Sequence, residues 1–338
     1  MLDDGDEDMT VRRVNILKNI AVRKKFIQGV KLLKGDSLRP GWPSTYDIFV
    51  IWHVSAMMTL TPSNGTGGGR NAAHSGPVFL PWHRWMLLVF EYHLQRVLGD
   101  NKFGLPYWDW AQDGELTESQ QIKAPIWKSY CMGGSGNPVT SGPFAKGSWT
   151  VNFRQILTQE GLVLAPTKSS LTRSIGTKVD DNNQKTSLPT RADVKSVIKR
   201  KQLNVLYDNP PWNEESSGFR NELEGWLNAP PAMMHNAVHV WVGGDMALGS
   251  SPNDPVFFLN HANVDRMWQG WQKIHSQSPY LPDVNENPDL QPHRLNDFMY
   301  EISKDELFDP IFKGQVRPID VIDVSNRYAY DTFKDINR

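Results

Sequence analysis

Apolar residues recur at helical spacing through residues 11–33 (Val14, Ile16, Leu17, Ile20, Phe26, Val30, Leu33), which predicts a helix ahead of the Pro/Gly break at 39–43. YDIFVIWHVSAMM (46–58) is apolar almost without interruption and longer than a typical strand, so it predicts a buried helix. Residues 61–81 carry Gly65 and the run Gly67-Gly68-Gly69, the composition of a long loop. HRWMLLVFEYHLQRVL (83–98) predicts a second strong helix, stopped by Gly99. Residues 111–188 are rich in Gly, Ser, Thr and Pro with little periodicity, and no strand can be placed in them. Thr190 with Asp193 forms a capping-box pattern that opens a helix to about residue 203. A short helix follows over 217–227, closed by Pro230-Pro231, and another over 233–241, stopped by Gly243-Gly244. Asp254-Pro255 places a capping side chain and a first-turn proline at the head of a helix reaching about residue 274. No repeat or linker interrupts this pattern. The expectation is one mainly α domain over 11–338, with long loops and minor β structure, behind a disordered acidic tail over 1–10.

Charge and composition narrow the function classes. Thirty-six basic residues balance 37 acidic ones, so nothing draws the whole chain to nucleic acid, and Lys199-Arg200-Lys201 reads as a solvated helix face. No stretch approaches the roughly 20 apolar residues that cross a bilayer. The first nine residues, MLDDGDEDM, are acidic where a signal peptide is basic and then apolar, so a cytoplasmic location is expected, with export by another route left open. Cys131 is the single cysteine, which excludes an internal disulfide and any thiolate cluster.

The candidate chemistry lies in the histidines. Six of the nine fall on or beside the predicted helices: His53, His74 and His83 in the first half, His235, His239 and His261 in the second. Positions four apart, such as His235 and His239, share one helix face. Two sets of three, drawn mainly from four helices, suit a metal site inside a four-helix bundle. A carboxylate-rich di-iron site is excluded because the Glu-x-x-His motif is missing around these positions. HNAVH has the spacing of a zinc protease, but Asn236 stands where the basic glutamate belongs. Blue copper needs a thiolate, and Cys131 has no neighbouring histidine. All-imidazole sites suit copper and zinc. His93 falls off the face of His83 and reads as structural; His275 and His293 lie in or near loops and carry no assigned role.

Five stretches carry a further signal: SGPVFLPWHR (75–84), LPYWDW (105–110), FRNELEGW (219–226), HNAVHVWVGG (235–244) and SPNDPVFFLNHANVDRMW (251–268). With them the chain resembles the bacterial tyrosinases, type-3 copper proteins, from about residue 11 to its end. The resemblance implies a four-helix bundle core holding two copper ions, one on His53, His74 and His83, the other on His235, His239 and His261. It implies ortho-hydroxylation of monophenols by dioxygen and oxidation of o-diphenols to o-quinones. Glu224 and Asn236 match a pair that positions a water to take the phenol proton.

Two positions depart from the pattern. Asn260 replaces the first histidine of a common His-His pair, and Ala237 replaces a common arginine. Both are expected at the substrate mouth, where they would weaken the preference for amino-acid phenols and leave hydroxylation in doubt. Ala72 and Ala73 precede His74, which rules out the thioether found in other branches of the family. Asp265, four residues after His261, is the candidate partner of a ligand imidazole. The gate over the coppers is expected at Met246, Ala247, Leu248, Gly249 and Ser250. Small phenols and dioxygen are the expected partners, with a copper-loading chaperone allowed for and no nucleic acid or membrane. A catechol or o-aminophenol oxidase is the neighbouring reading. An oxygen carrier would need a shielding domain that this length does not hold, and a structural zinc protein would rarely use six histidines without cysteine.

Overall fold

A computed structural model describes residues 10–177, 186–225, 233–302, 305–312 and 314–336. The acidic stretch 1–9, the expected end of the 217–227 helix and Pro230-Pro231 lie outside the described residues. Strand β1 (Val11–Arg13) is followed by helices α1 (Ile20–Gly35), α2 (Thr45–Met58), α3 (Phe79–Leu98), α4 (Trp110–Gly114) and α5 (Glu118–Gln121). A hairpin of β2 (Val151–Thr158) and β3 (Gly161–Ser169) comes next. Helices α6 (Arg191–Ile198), α7 (Phe219–Glu224), α8 (Met234–Val242), α9 (Val256–Ile274) and α10 (Ile319–Ile322) precede strand β4 (Tyr328–Tyr330).

The architecture is mainly helical, and the long buried helices α2, α3 and α9 with α8 form its four-helix core. Helix α2 is apolar all round and buried on nearly every side, as a central helix should be. Ser44 caps it by accepting the Asp47 backbone N–H at 3.1 Å. Helix α3 begins at Phe79, so Pro81 occupies its first turn, where the missing N–H has no helical partner to lose. Gly99 ends it at φ 62°, and the Asp100 N–H reaches back to the Gln95 carbonyl at 3.0 Å. Helix α1 crosses α3 closely at Gly29, where a Cβ would stand 2.7 Å from Leu94 Cδ2.

The helix predicted over 11–33 is corrected at its start. Residues 11–13 pair in parallel with 328–330, and α1 opens only after Asn19, whose side chain accepts the Val22 N–H at 3.0 Å. The Thr190–Asp193 capping box is present, but α6 stops at Ile198 because Lys199 turns into the left-handed region at φ 50°. At the head of α9, Asp254 accepts the Val256 N–H at 3.0 Å while both its oxygens hold Arg173 at 2.6 and 2.7 Å. Among the described residues the β2–β3 hairpin is the one substantial β element, and its strands carry no clean in–out alternation of burial.

Candidate metal centre

The six histidines converge as two triads. His53, His74 and His83 each offer a nitrogen within 4.8 Å of the others, and His235, His239 and His261 do the same. His53 comes from α2, His83 from α3, His235 and His239 from α8 and His261 from α9. His74 comes from the loop before α3, where the Asn71 side chain accepts the Ala73 and His74 N–H groups at 3.1 and 2.9 Å. That loop is pinned from outside. His293 bonds the Thr61 hydroxyl at 2.8 Å and accepts the Val78 N–H at 3.3 Å, and Arg70 bonds the Thr61 carbonyl at 2.9 Å. His93 and His275 donate to the Phe308 and Ile198 carbonyls at 2.7 and 2.8 Å, away from the triads.

The two triads face one another. The His83 and His261 rings stack at 4.2 Å between centroids, tilted by 15°. His235 Nε2 lies 3.1 Å from His261 Nε2, two ring nitrogens directed at the same small volume. His53, His83 and His239 place Nδ1 against the carbonyls of Gly249, Phe79 and Met246 at 2.7, 2.8 and 2.7 Å. A carbonyl only accepts, so Nδ1 carries the proton and Nε2 keeps its lone pair. Those three Nε2 atoms are buried and have no hydrogen-bond partner among the described residues. Orphaned, inward-facing lone pairs are what a metal ion satisfies, and an all-imidazole donor set suits copper. Burial also holds the imidazoles neutral: it pushes His53 down to about 3 and His239 to about 4, and the other four well below the ordinary histidine value. A neutral ring needs no proton removed before it binds a cation.

Glu224 and Asn236 stand beside the second triad. Glu224 ends α7 and Asn236 lies in the first turn of α8; the residue after Glu224 is Gly225 at φ 86°, where a Cβ would meet the Met233 carbonyl at 2.0 Å. Asn236 Nδ2 donates to the Gly225 carbonyl, and its Oδ1 accepts from His235 Nδ1 at 3.0 Å. Glu224 accepts the Ser75 N–H at 2.7 Å on one oxygen and Arg220 Nη1 at 2.9 Å on the other. Arg220 also grips Asp208 at 2.6 Å. Burial pushes the Glu224 carboxyl up to about 7, with Arg220 pulling against it. Sequence reading missed Arg220, although its i, i+4 spacing to Glu224 on a helix was visible. It also missed Ser75, whose part is played by the backbone and leaves no mark in residue type.

His53, His74, His235 and His239, with Glu224 and Asn236, line one cavity of about 390 Å³. Met57, Val240, Ala247 and Leu248 give it an apolar wall, while Ser75, Glu214, Glu224 and Asn236 give it polar groups. Of the expected gate, Met246, Ala247, Leu248 and Gly249 line this cavity, and Ala247 and Leu248 are exposed at its mouth. Ser250 does not line it; that side chain is buried and its hydroxyl accepts the Gln155 N–H at 3.1 Å. Gly249 is closed in on the hairpin side, where a Cβ would stand 2.2 Å from Gln155 Oε1. The segment is also a brace, since the Met246 and Gly249 carbonyls orient one histidine of each triad.

Three further expectations are corrected. Ala237 and Asn260 are buried and neither lines the cavity. Two residues past His235 is about 200° around a helix, and one residue before His261 is about 100° off its face, so neither can share the ligands' direction. Asp265 touches no ligand imidazole among the described residues. Its oxygens are taken by Arg84 at 2.5 Å, Arg13 at 3.2 Å, and the Tyr328 and Tyr330 hydroxyls at 2.5 and 2.7 Å. His261 Nδ1 is left without a hydrogen-bond partner among the described residues.

Residues 43–274 match the family model described as the common central domain of tyrosinase. The tyrosinase of Streptomyces glaucescens is 37% identical over 330 residues, which span 96% of this chain and 100% of that one. Grixazone synthase of Streptomyces griseus subsp. griseus is 36% identical over 305 residues, spanning 83% of this chain and 90% of that one. A solved polyphenol oxidase from Thermothelomyces thermophila shares the fold, with a TM-score of 0.59 at 24% identity over 82% of this chain and 74% of that one. The helical bundle, the paired triads that fit a dinuclear copper centre and these similarities agree: the chain belongs to the tyrosinase family, the copper-dependent enzymes that oxidise phenols with dioxygen.

Proposed function

We propose that the enzyme both hydroxylates monophenols and oxidises o-diphenols, with one copper held by His53, His74 and His83 and the other by His235, His239 and His261. When bound, the copper pair supplies the binding and activation of dioxygen. The chain's own residues handle the substrate and its proton. The ring of a phenol lies against Met57, Val240 and Leu248, and its hydroxyl points between the triads.

The observation that carries the hydroxylase reading is the position of Glu224 on the wall of the histidine cavity. A phenol has a pKa of about 10, so a base must take its proton at neutral pH. A carboxylate offers about four lone-pair sites, and Ser75 and Arg220 occupy two of them. The remaining sites can hold a water beside the Asn236 side chain, within reach of an incoming hydroxyl. The exposed mouth at Ala247 and Leu248 supports access for a bulky organic molecule, which an oxygen carrier does not need.

The ligand sets are tested by copper content. Wild-type protein dialysed against copper and then buffer should hold two coppers per chain, and His239→Ala one. Two coppers retained by the variant under mild chelation would show that the second triad is misassigned.

A further inference from the structure

His74 is the one triad histidine that no helix carries; it lies in the loop between α2 and α3. His53 and His83 of the same triad seat Nδ1 on the Gly249 and Phe79 carbonyls, whereas His74 Nδ1 has no hydrogen-bond partner among the described residues. Its place therefore depends on its backbone, which Asn71 holds in a tight turn. Asn71 Oδ1 accepts the His74 N–H at 2.9 Å, and the His74 carbonyl accepts the Asn71 N–H at 3.1 Å. That turn is tied to the start of the loop: the Ala72 N–H bonds the Thr59 carbonyl at 2.9 Å, and the Thr61 N–H bonds the Arg70 carbonyl at 3.0 Å. Between these ties residues 63–66 are exposed, and Gly65, Gly67, Gly68 and Gly69 give the chain little stiffness of its own.

His293 supplies stiffness from far along the sequence. This fully buried imidazole reaches both ends of the loop: Nδ1 accepts the Val78 N–H at the head of α3 at 3.3 Å, and Nε2 lies 2.8 Å from the Thr61 hydroxyl. A backbone N–H only donates, so Nδ1 keeps its lone pair and Nε2 carries the proton that Thr61 Oγ1 accepts. The residue is itself anchored, since its carbonyl accepts the Tyr280 hydroxyl at 2.8 Å and its N–H donates to the Leu290 carbonyl at 2.6 Å. Gly76 leaves room for it: a Cβ there would stand 2.7 Å from His293 Cε1 and 2.6 Å from Arg70 Cδ. His293 belongs to neither triad and does not line the cavity. The segments it bonds carry no histidine of the second triad.

We propose that His293 is a positioning residue for the metal centre, a clasp on the loop of His74 that sets the copper affinity of the first site and not of the second. This rests on the assignment of His53, His74 and His83 to one copper. Without the clasp the loop samples more backbone positions, and bringing His74 to the metal then costs the conformational entropy that the clasp had already removed. Loss of a group that directly orients a metal ligand weakens metal binding by about 10- to 100-fold, and His293 acts one step further out, so the lower end is expected.

The two sites are read separately in single-site proteins: His239→Ala leaves the first triad whole, and His53→Ala the second. Copper affinity is measured in each by competition with a chelator. Adding His293→Gln, which keeps a donor for Thr61, or His293→Asn, which keeps an acceptor for Val78, should weaken copper binding about tenfold in the His239→Ala protein. The same changes should leave the affinity of the His53→Ala protein as it was. Gly76→Ala, which crowds His293 and Arg70, should act in the same direction and at the same site. In the metal-free protein, the amides of residues 71–75 should exchange hydrogen faster in both His293 variants. Equal weakening at the two sites would give His293 a general structural part and overturn the inference, as would an unchanged affinity at the first site. A His239→Ala protein that binds no copper overturns the underlying ligand assignment instead.

Discussion

The Ser75 backbone N–H donates to Glu224 at 2.7 Å, which ties the loop holding His74 to the carboxylate proposed to receive a phenol proton. One contact thus joins the loop of the first triad to the carboxylate beside the second. Glu224→Gln keeps an acceptor for Ser75 and a similar volume but can no longer take a proton. Monophenol hydroxylation should fall about 10²-fold, the scale of a lost general base, with o-diphenol oxidation falling much less. Equal losses for both substrates would assign Glu224 a structural part only.

The mouth should be tunable at Ala247. This residue is exposed on the cavity wall, so Ala247→Phe should cut kcat/KM for a naphthol about tenfold relative to phenol, a loss of roughly 1.4 kcal/mol of selective binding. Gly249→Phe should act differently, because its side chain would run into Gln155 and displace the carbonyl that orients His53. It should reduce both substrates together, along with copper content. Parallel losses in Ala247→Phe would place the mouth elsewhere.

Asp265 should matter for folding. It neutralises Arg84 and Arg13, both fully buried, and binds two tyrosine hydroxyls that bring strand β4 against the bundle. Asp265→Ala leaves the buried Arg84 without its carboxylate and Arg13 with Glu91 alone, and should cost about 3–5 kcal/mol in urea unfolding. The folded fraction should still hold two coppers per chain. An unchanged unfolding midpoint with copper lost would restore Asp265 as an imidazole partner.

A pH-dependent stability term should come from Asp113. Burial pushes its carboxyl up from 3.8 to about 6, while its oxygen accepts from Trp108 Nε1 at 2.7 Å. The folded state therefore holds a proton that the unfolded state has released between about pH 4 and 6. Stability from this group falls as pH rises through that window, and the cost persists at neutral pH. Asp113→Asn keeps an acceptor for Trp108 without the charge, so it should stabilise the protein at pH 7 by up to ~3 kcal/mol. The gain should vanish near pH 4. Urea midpoints across this range check it, and a gain that grows on acidification would contradict the assignment.

Much of the bundle was legible because its signals are local. The apolar run of α2, the Gly99 stop and the Thr190–Asp193 box each depend on a few neighbouring residues. The histidine triads were legible because α-helical spacing fixes His235 and His239 on one face, and the rarity of histidine drew attention to the rest. Pairing at a distance was not. Val11–Arg13 looked like the start of a helix because its partner strand lies more than 300 residues away, and a three-residue strand has no periodicity to show. The hairpin was missed because its half-exposed strands do not alternate. Asp265, Ala237 and Asn260 were misplaced for one reason: closeness to a ligand in sequence does not give its direction. Glu214, in an irregular segment before α7, carried no pattern at all.

The account stands most directly on oxygen uptake by copper-loaded protein given a simple monophenol, its o-diphenol and, separately, an o-aminophenol. Uptake with both phenols, the monophenol after a lag, is the predicted result. Uptake with the diphenol or the aminophenol alone, from protein holding two coppers per chain, would contradict the proposed role of Glu224 and Asn236 in hydroxylation.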